Sequence, residues 1–285
     1  MVESVKELRE ICYANSKHKR PLYMELVTMR ISIYITKLLL YTNISADHVT
    51  ISMMLLSVLG SAFMAFGSLK YMLIGILIVH FTIILDNVNG EIARYRKEGN
   101  MVGTFLEFLY HEVTATFVFF SLAYGIFSRT GWKSALIFGF LASFFSKGIV
   151  LSIIKLAALK NVVRDDDKKR KEKAKKSLQL VGSTNLKGGS TKLGSVLYKA
   201  YDRIKEFWGH PINIVHVNAI LLIEMLNYYY MFLPPYVLTY WYLVVYGTGS
   251  VIVQLISFMV NYNGKTVYHY YFALLGKGKK KVEND

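Results

Sequence analysis

The sequence predicts an all-α integral membrane protein: six transmembrane helices preceded by an N-terminal amphipathic interfacial helix. Three observations lead there. The 285 residues are 53% hydrophobic, with a mean hydropathy of +0.33. The net charge is nevertheless +15, and the cations are kept apart from the apolar stretches. Six stretches reach the roughly 20 mainly apolar residues that a helix needs to cross a bilayer: 50–69, 71–91, 103–127, 132–158, 212–233 and 236–261. A charged nucleic-acid tail would be poor in apolar residues, so nucleic acid is not an expected partner. With Cys12 alone, a disulfide scaffold is excluded, and a lone thiol fits a reducing face of a membrane.

Each element has its own justification. Residues 1–45 form a cytoplasmic N-terminal segment. Its first 20 residues are polar and charged, with no apolar core of a cleavable signal. The stretch 22–42 is apolar but interrupted by Glu25, Arg30 and Lys37, the pattern of a helix lying at an interface. The membrane domain covers 46–262. Pro234-Pro235 makes a tight turn between its last two spans, and Tyr228, Tyr229, Tyr230, Tyr236, Tyr240, Trp241 and Tyr242 surround it as an aromatic belt. The charge run Lys168–Lys176, followed by the Gly/Ser/Thr-rich stretch 182–195, predicts a mobile basic loop over about 160–211 that meets anionic lipid head groups. A basic tail occupies 263–285.

The cations set the orientation. Segments 1–48, 92–102, 159–211 and 262–285 hold 7, 3, 14 and 5 Lys/Arg, while the alternate turns hold only Lys70, Arg129 and Lys133. Cationic loops stay on the cytoplasmic side, so both termini are expected there.

Ionisable residues inside membrane helices are costly and mark function. The second span ends in LDNVNGEIAR and the third begins GTFLEFLYHE. Asp86, Asn89, Gly90, Ala93 and Arg94 share one helical face, as do Gly103, Glu107 and His111 on the next helix. The connection is short, so the two polar faces meet near the cytoplasmic surface. Carboxylate and amide oxygens suit Mg²⁺, and an imidazole suits Mn²⁺ or Zn²⁺. A cation beside Arg94 suits a phosphoryl or pyrophosphate substrate. The competing account is polar glue between helices, for which a Glu107–Arg94 pair would suffice.

These residues resemble the CDP-alcohol phosphotransferase family, whose pattern is D-x2-D-G-x2-A-R-x8-G-x3-D-x3-D. Here it reads Asp86-x2-Asn89-Gly90-x2-Ala93-Arg94-x8-Gly103-x3-Glu107-x3-His111, with every gap preserved. TNISADHVT at 42–50 is similar to the family's entry to its first span, and the likeness covers about 20–265. The wording of the motif looks most like the branch that includes di-myo-inositol phosphate phosphate synthases. The resemblance implies a transferase that moves a substituted phosphate from a CDP-alcohol donor to a lipid or polyol hydroxyl acceptor, releasing CMP. It also implies a homodimer in contact with membrane lipids. In the family four Asp hold two metal ions, and the last is the general base.

The departures fall on those positions. Asn89, Glu107 and His111 replace three of the four Asp, which reduces the formal charge from −4 to −2. Two Mg²⁺ are then poorly compensated: either one metal site is lost, or a different ion is used, or Glu91 or Glu112 supplies charge, and the expected cofactor is a divalent cation, Mg²⁺ or Mn²⁺, as one ion or two. By resemblance, Asp86, Asn89, Glu107 and His111 are the metal set, and Asp86, Glu107 and His111 are the catalytic group. His111 has an unperturbed pKa of about 6.5, near operating pH, and is a chemically suitable base. Gly90, Ala93, Arg94, Gly103 and Thr50 are the nucleotide-binding positions. Lys147 and Arg30, with Lys155 and Lys37, are candidates for an acceptor phosphate, against snorkelling to lipid. His80 reads as an interhelical hydrogen bond. Glu224 needs a partner that the sequence does not name.

Three other readings compete. One is an altered or inactive member serving as a binding or partner subunit, favoured by the triple substitution. An intramembrane prenyltransferase would need paired Asp motifs, and Asp165–Asp167 is the only Asp run. A transporter would show repeat symmetry and broken helices, which are not visible.

Overall fold

In the computed structural model, residues 2–13, 23–99, 101–146, 152–153, 155–158, 208, 212–263 and 271 are described. All regular structure among them is helical. The helices are α1 (Val5–Tyr13), a π-helical turn (Met24–Thr28), α2 (Met29–Leu39), α3 (Ala46–Ala65), α4 (Leu69–Arg96), α5 (Met101–Thr130), α6 (Lys133–Phe145), α7 (Ile212–Tyr230) and α8 (Val237–Asn263). Five of them, α3, α4, α5, α7 and α8, are long and apolar enough to cross a membrane. The protein is therefore a multi-pass membrane protein. The expected fourth span, 132–158, is described as α6, a shorter apolar helix, with residues 152–153 and 155–158 also helical. The basic loop and the tail lie almost wholly outside the described residues.

The chain divides into two units. Residues 145–209 with 248–285 form one, in which Gln254 Nε2 donates to the Phe145 carbonyl at 3.1 Å and Gly249 faces the Trp208 ring. Residues 1–144 with 210–247 form the other, and it contains every feature discussed below.

In this unit α3 packs against both α4 and α5, which approach each other directly along only a short stretch. Glycine permits the closeness. A Cβ on Gly60 would stand 2.5 Å from the Gly75 carbonyl oxygen, and one on Gly125 would stand 2.5 Å from that of Met64. Such small-residue contacts are how membrane helices gain packing without a hydrophobic drive between them. Ser45 starts α3 with a capping box in which His48 takes the place of the usual Glu: Ser45 Oγ accepts from His48 N at 3.3 Å, and His48 Nδ1 accepts from Ser45 N at 3.2 Å. At the far end of α4, Lys97 adopts φ +57° and closes the helix with Glu98 N bonded to the Ala93 carbonyl at 3.0 Å. Arg96 forks onto the Ile44 and Thr42 carbonyls, both at 2.7 Å, tying the α2–α3 connection to this end.

The N-terminal segment is polar on its inner side. Thr28, Ser32 and Thr36, spaced at i, i+4 and i+8, are fully buried, while Leu26, Ile31, Tyr34 and Leu38 are exposed. The hydroxyl stripe faces α4, where Asn87 Nδ2 donates to Thr28 Oγ1 at 2.9 Å. The face turned outward is apolar, as it is on the neighbouring spans.

Two expected loose ends are tied by hydrogen bonds. His80 stands between Tyr23, whose hydroxyl bonds Nε2, and Asn218, whose Nδ2 is 3.0 Å from Nδ1. Glu224 finds its partners across the Pro-Pro turn: it accepts from Tyr236 N and Thr239 N, both at 2.9 Å, and from Asn227 Nδ2 at 3.0 Å. A carboxylate there occupies the N-terminus of α8, where backbone N–H groups lack intrahelical partners.

Candidate metal and phosphate site

The site forms where the cytoplasm-facing half expected for α4 meets the first turns of α5. Asp86 on α4 and Glu107 and His111 on α5 bring one potential ligand atom each to within 4.8 Å of the others. Glu107 is exposed, whereas Asp86 and His111 are partly buried. Three ligands held about 2.1 Å from one cation lie about 3.0–3.6 Å apart for most pairs, so the side chains would draw in by about one to two ångströms to close the set. No described residue hydrogen-bonds to the carboxylate of Asp86 or Glu107. Two carboxylates this close repel unless a proton or a cation lies between them.

Positioning follows from the helices. Asp86 follows the buried Leu85 and precedes Val88, which pack with Met53, Ile92 and Tyr110 in one core cluster. Tyr110, fully buried next to His111, bonds Thr82 at 2.8 Å, and Thr114 bonds Ser57 at 2.9 Å. These ties fix the rotation of α5 against α4 and α3. The Tyr110 and His111 rings lie 4.9 Å apart.

The other expected positions fare differently. Asn89, Gly90 and Ala93 are half-buried on the Asp86 face, and Gly103 is half-buried at the start of α5. Arg94 is exposed and does not pair with Glu107, so the polar-glue account built on that pair fails. Its guanidinium folds back along α4: a Cβ on Gly90 would meet Nη1 at 2.9 Å. The same guanidinium faces the Tyr13 ring, with Cζ 5.4 Å from the centroid. Thr50 is buried, and its hydroxyl donates to the Ala46 carbonyl of its own helix at 3.2 Å. Arg30 is exposed on α2, and Lys147 lies outside the described residues.

Glu91 is withdrawn from the site. It is fully buried on another face of α4 and accepts hydrogen bonds from Ser32 Oγ and Thr36 Oγ1, both at 2.5 Å, and from the Tyr13 hydroxyl. It cannot supply the missing charge. Glu112 is exposed and stands outside the three-residue group. Burial, reinforced by the Glu91 carboxylate, pushes the Tyr13 hydroxyl well above the ordinary phenol range, so it remains a donor. Burial likewise pushes the Cys12 thiol up to about 11.

No family model matches the chain, and no curated protein matches it.

Proposed function

We propose that the protein is a membrane transferase that moves a substituted phosphate from a CDP-alcohol to a hydroxyl acceptor and releases CMP. The observation that carries this reading is the convergence of Asp86, Glu107 and His111 from two helices, at positions whose spacing matches a CDP-alcohol phosphotransferase motif. Asp86 and Glu107, with the Asn89 amide, hold one divalent cation. The imidazole beside them favours Mn²⁺ over Mg²⁺ in the choice of ion. A cation held by these residues would supply charge compensation for the pyrophosphate and for CMP as the leaving group. His111 either joins the ligand set or takes the proton of the acceptor hydroxyl at a ring nitrogen. As that proton leaves, the acceptor oxygen bonds to the phosphorus bearing the alcohol, and the bond to the CMP oxygen breaks. Gly90 and Ala93 leave room for the nucleotide, and Arg94 meets phosphate.

The finer topology belongs to the same reading: six spans, a lead-in helix at the interface, both termini and the site cytoplasmic, and a homodimer. It serves phospholipid or inositol-phosphate type synthesis.

The test is CMP release by the purified protein in lipid, from a panel of CDP-alcohols with Mg²⁺, Mn²⁺ or no metal. Metal-dependent release that His111→Ala and Glu107→Ala abolish is the expected result. No release with any donor from a folded protein would favour a partner subunit instead.

A further inference from the structure

We infer that Tyr13 is a positioning residue for Arg94, which gives the N-terminal helix a part in binding the phosphates of the donor. The inference rests on the transferase reading above for the identity of the ligand, but not for the geometry. Long side chains on a helix lean toward its N-terminus, and Arg94 does so. Its guanidinium lies over Gly90, one helical turn from Asp86. Three features keep it there. Gly90 offers no side chain to displace it, the Tyr13 ring covers one face at 5.4 Å, and the neighbouring Glu91 attracts it. Arg94 as a residue nevertheless remains exposed, which leaves it accessible to an anion on the Asp86 face of α4. A planar fork of this kind binds phosphate best when its orientation is set in advance.

Tyr13 is itself held firmly. Its hydroxyl is spent on Glu91, which Ser32 and Thr36 also fix. The helix that carries it is docked at both ends. Tyr95 donates to Glu3 at 2.5 Å near its start, and Cys12 Sγ reaches the Glu91 carbonyl at 3.6 Å near its end. Leu8, between them, is fully buried. Tyr13 stands 81 positions from Arg94 in sequence and outside the motif, so the motif alone does not report it.

The full chain in nanodiscs is treated with phenylglyoxal, and modification of Arg94 is timed by peptide mass spectrometry. In parallel, the affinity for CDP is measured with Mn²⁺ present. Tyr13→Ala is expected to speed Arg94 modification and weaken CDP binding, each about threefold, the range of an exposed cation–π contact. Tyr13→Phe keeps the ring on a helix still docked through Glu3, Leu8 and Cys12, and should stay close to wild type in both. Gly90→Ala, which adds a methyl group only against the flexible end of Arg94, should reproduce the faster modification without touching the N-terminal helix. Unchanged modification and affinity in Tyr13→Ala would overturn the inference, as would a Tyr13→Phe as damaged as Tyr13→Ala. A wild type that binds Mn²⁺ but not CDP would count against the transferase reading alone, because the modification rates still report the positioning of Arg94.

Discussion

Asp86 and Glu91 are five residues apart on one helix and face opposite circumstances. Five residues rotate about 140° around α4, so Glu91 meets α1 and α2 while Asp86 meets α5. Glu91 is saturated by Ser32, Thr36 and Tyr13. Asp86 receives no hydrogen bond from the described residues and faces a second carboxylate instead. Glu224 resembles Glu91, since backbone and side-chain donors surround it. The same functional group is thus saturated by donors in two places and left without them in a third. With His111, the pair forms a group of ligand types that could hold a metal ion.

Substitutions on the two faces of α4 should accordingly have opposite consequences. Asp86→Asn is expected to lower Mn²⁺ affinity by more than about 100-fold, the upper figure for losing even an outer partner of a metal site. Its metal-free melting temperature should stay level or rise, because the repulsion with Glu107 is relieved. Electron paramagnetic resonance of bound Mn²⁺ and thermal unfolding in detergent read the two effects, and a large drop in metal-free stability would break the comparison. Glu91→Ala should destabilise the protein by about 3 kcal/mol, since three hydroxyls lose a shared acceptor. Hydrogen exchange should then accelerate over 24–39 while Mn²⁺ binding persists.

Glu224→Ala should cost about 2 kcal/mol through the uncapped start of α8, seen in unfolding with no change in metal affinity. The smallest effect is chemical. Cys12, whose folded thiol is raised to about 11 by burial, stays protonated at neutral pH. Its alkylation by iodoacetamide in the native protein should be slower than that of a free cysteine at pH 8. Because the folded value lies above the ordinary one of 9.0, its contribution to stability is complete below pH 9 and fades as pH rises toward 11. Fast alkylation at pH 8 would show that α1 is not docked.

The fold was legible where periodicity and length speak. The apolar runs marked α3, α4, α5, α7 and α8, with ends shifted by a few residues at the caps; α3 begins at Ala46, behind its Ser45 cap, four residues ahead of the expected span. The Asp86, Glu107 and His111 group was legible because helical spacing and a short connection bring two faces together. Glu91 was not, because its partners lie 55 to 78 residues away and are hydroxyls of types common in any helix. The i, i+4, i+8 stripe of Thr28, Ser32 and Thr36 in an apolar stretch was the available signal. Glu224 was opaque for another reason: its main partners are backbone amides, which no residue type announces. The Tyr13 ring against Arg94 was not legible, because it comes from outside the motif, 81 positions away.

The inward-facing hydroxyls of α2 also impose an order on assembly. Ser32 precedes its acceptor Glu91 by 59 residues, and Thr28 precedes Asn87 by the same interval. During synthesis the lead-in segment emerges before the groove that receives it exists. It can dock only after α4, which carries Asn87 and Glu91, has been made.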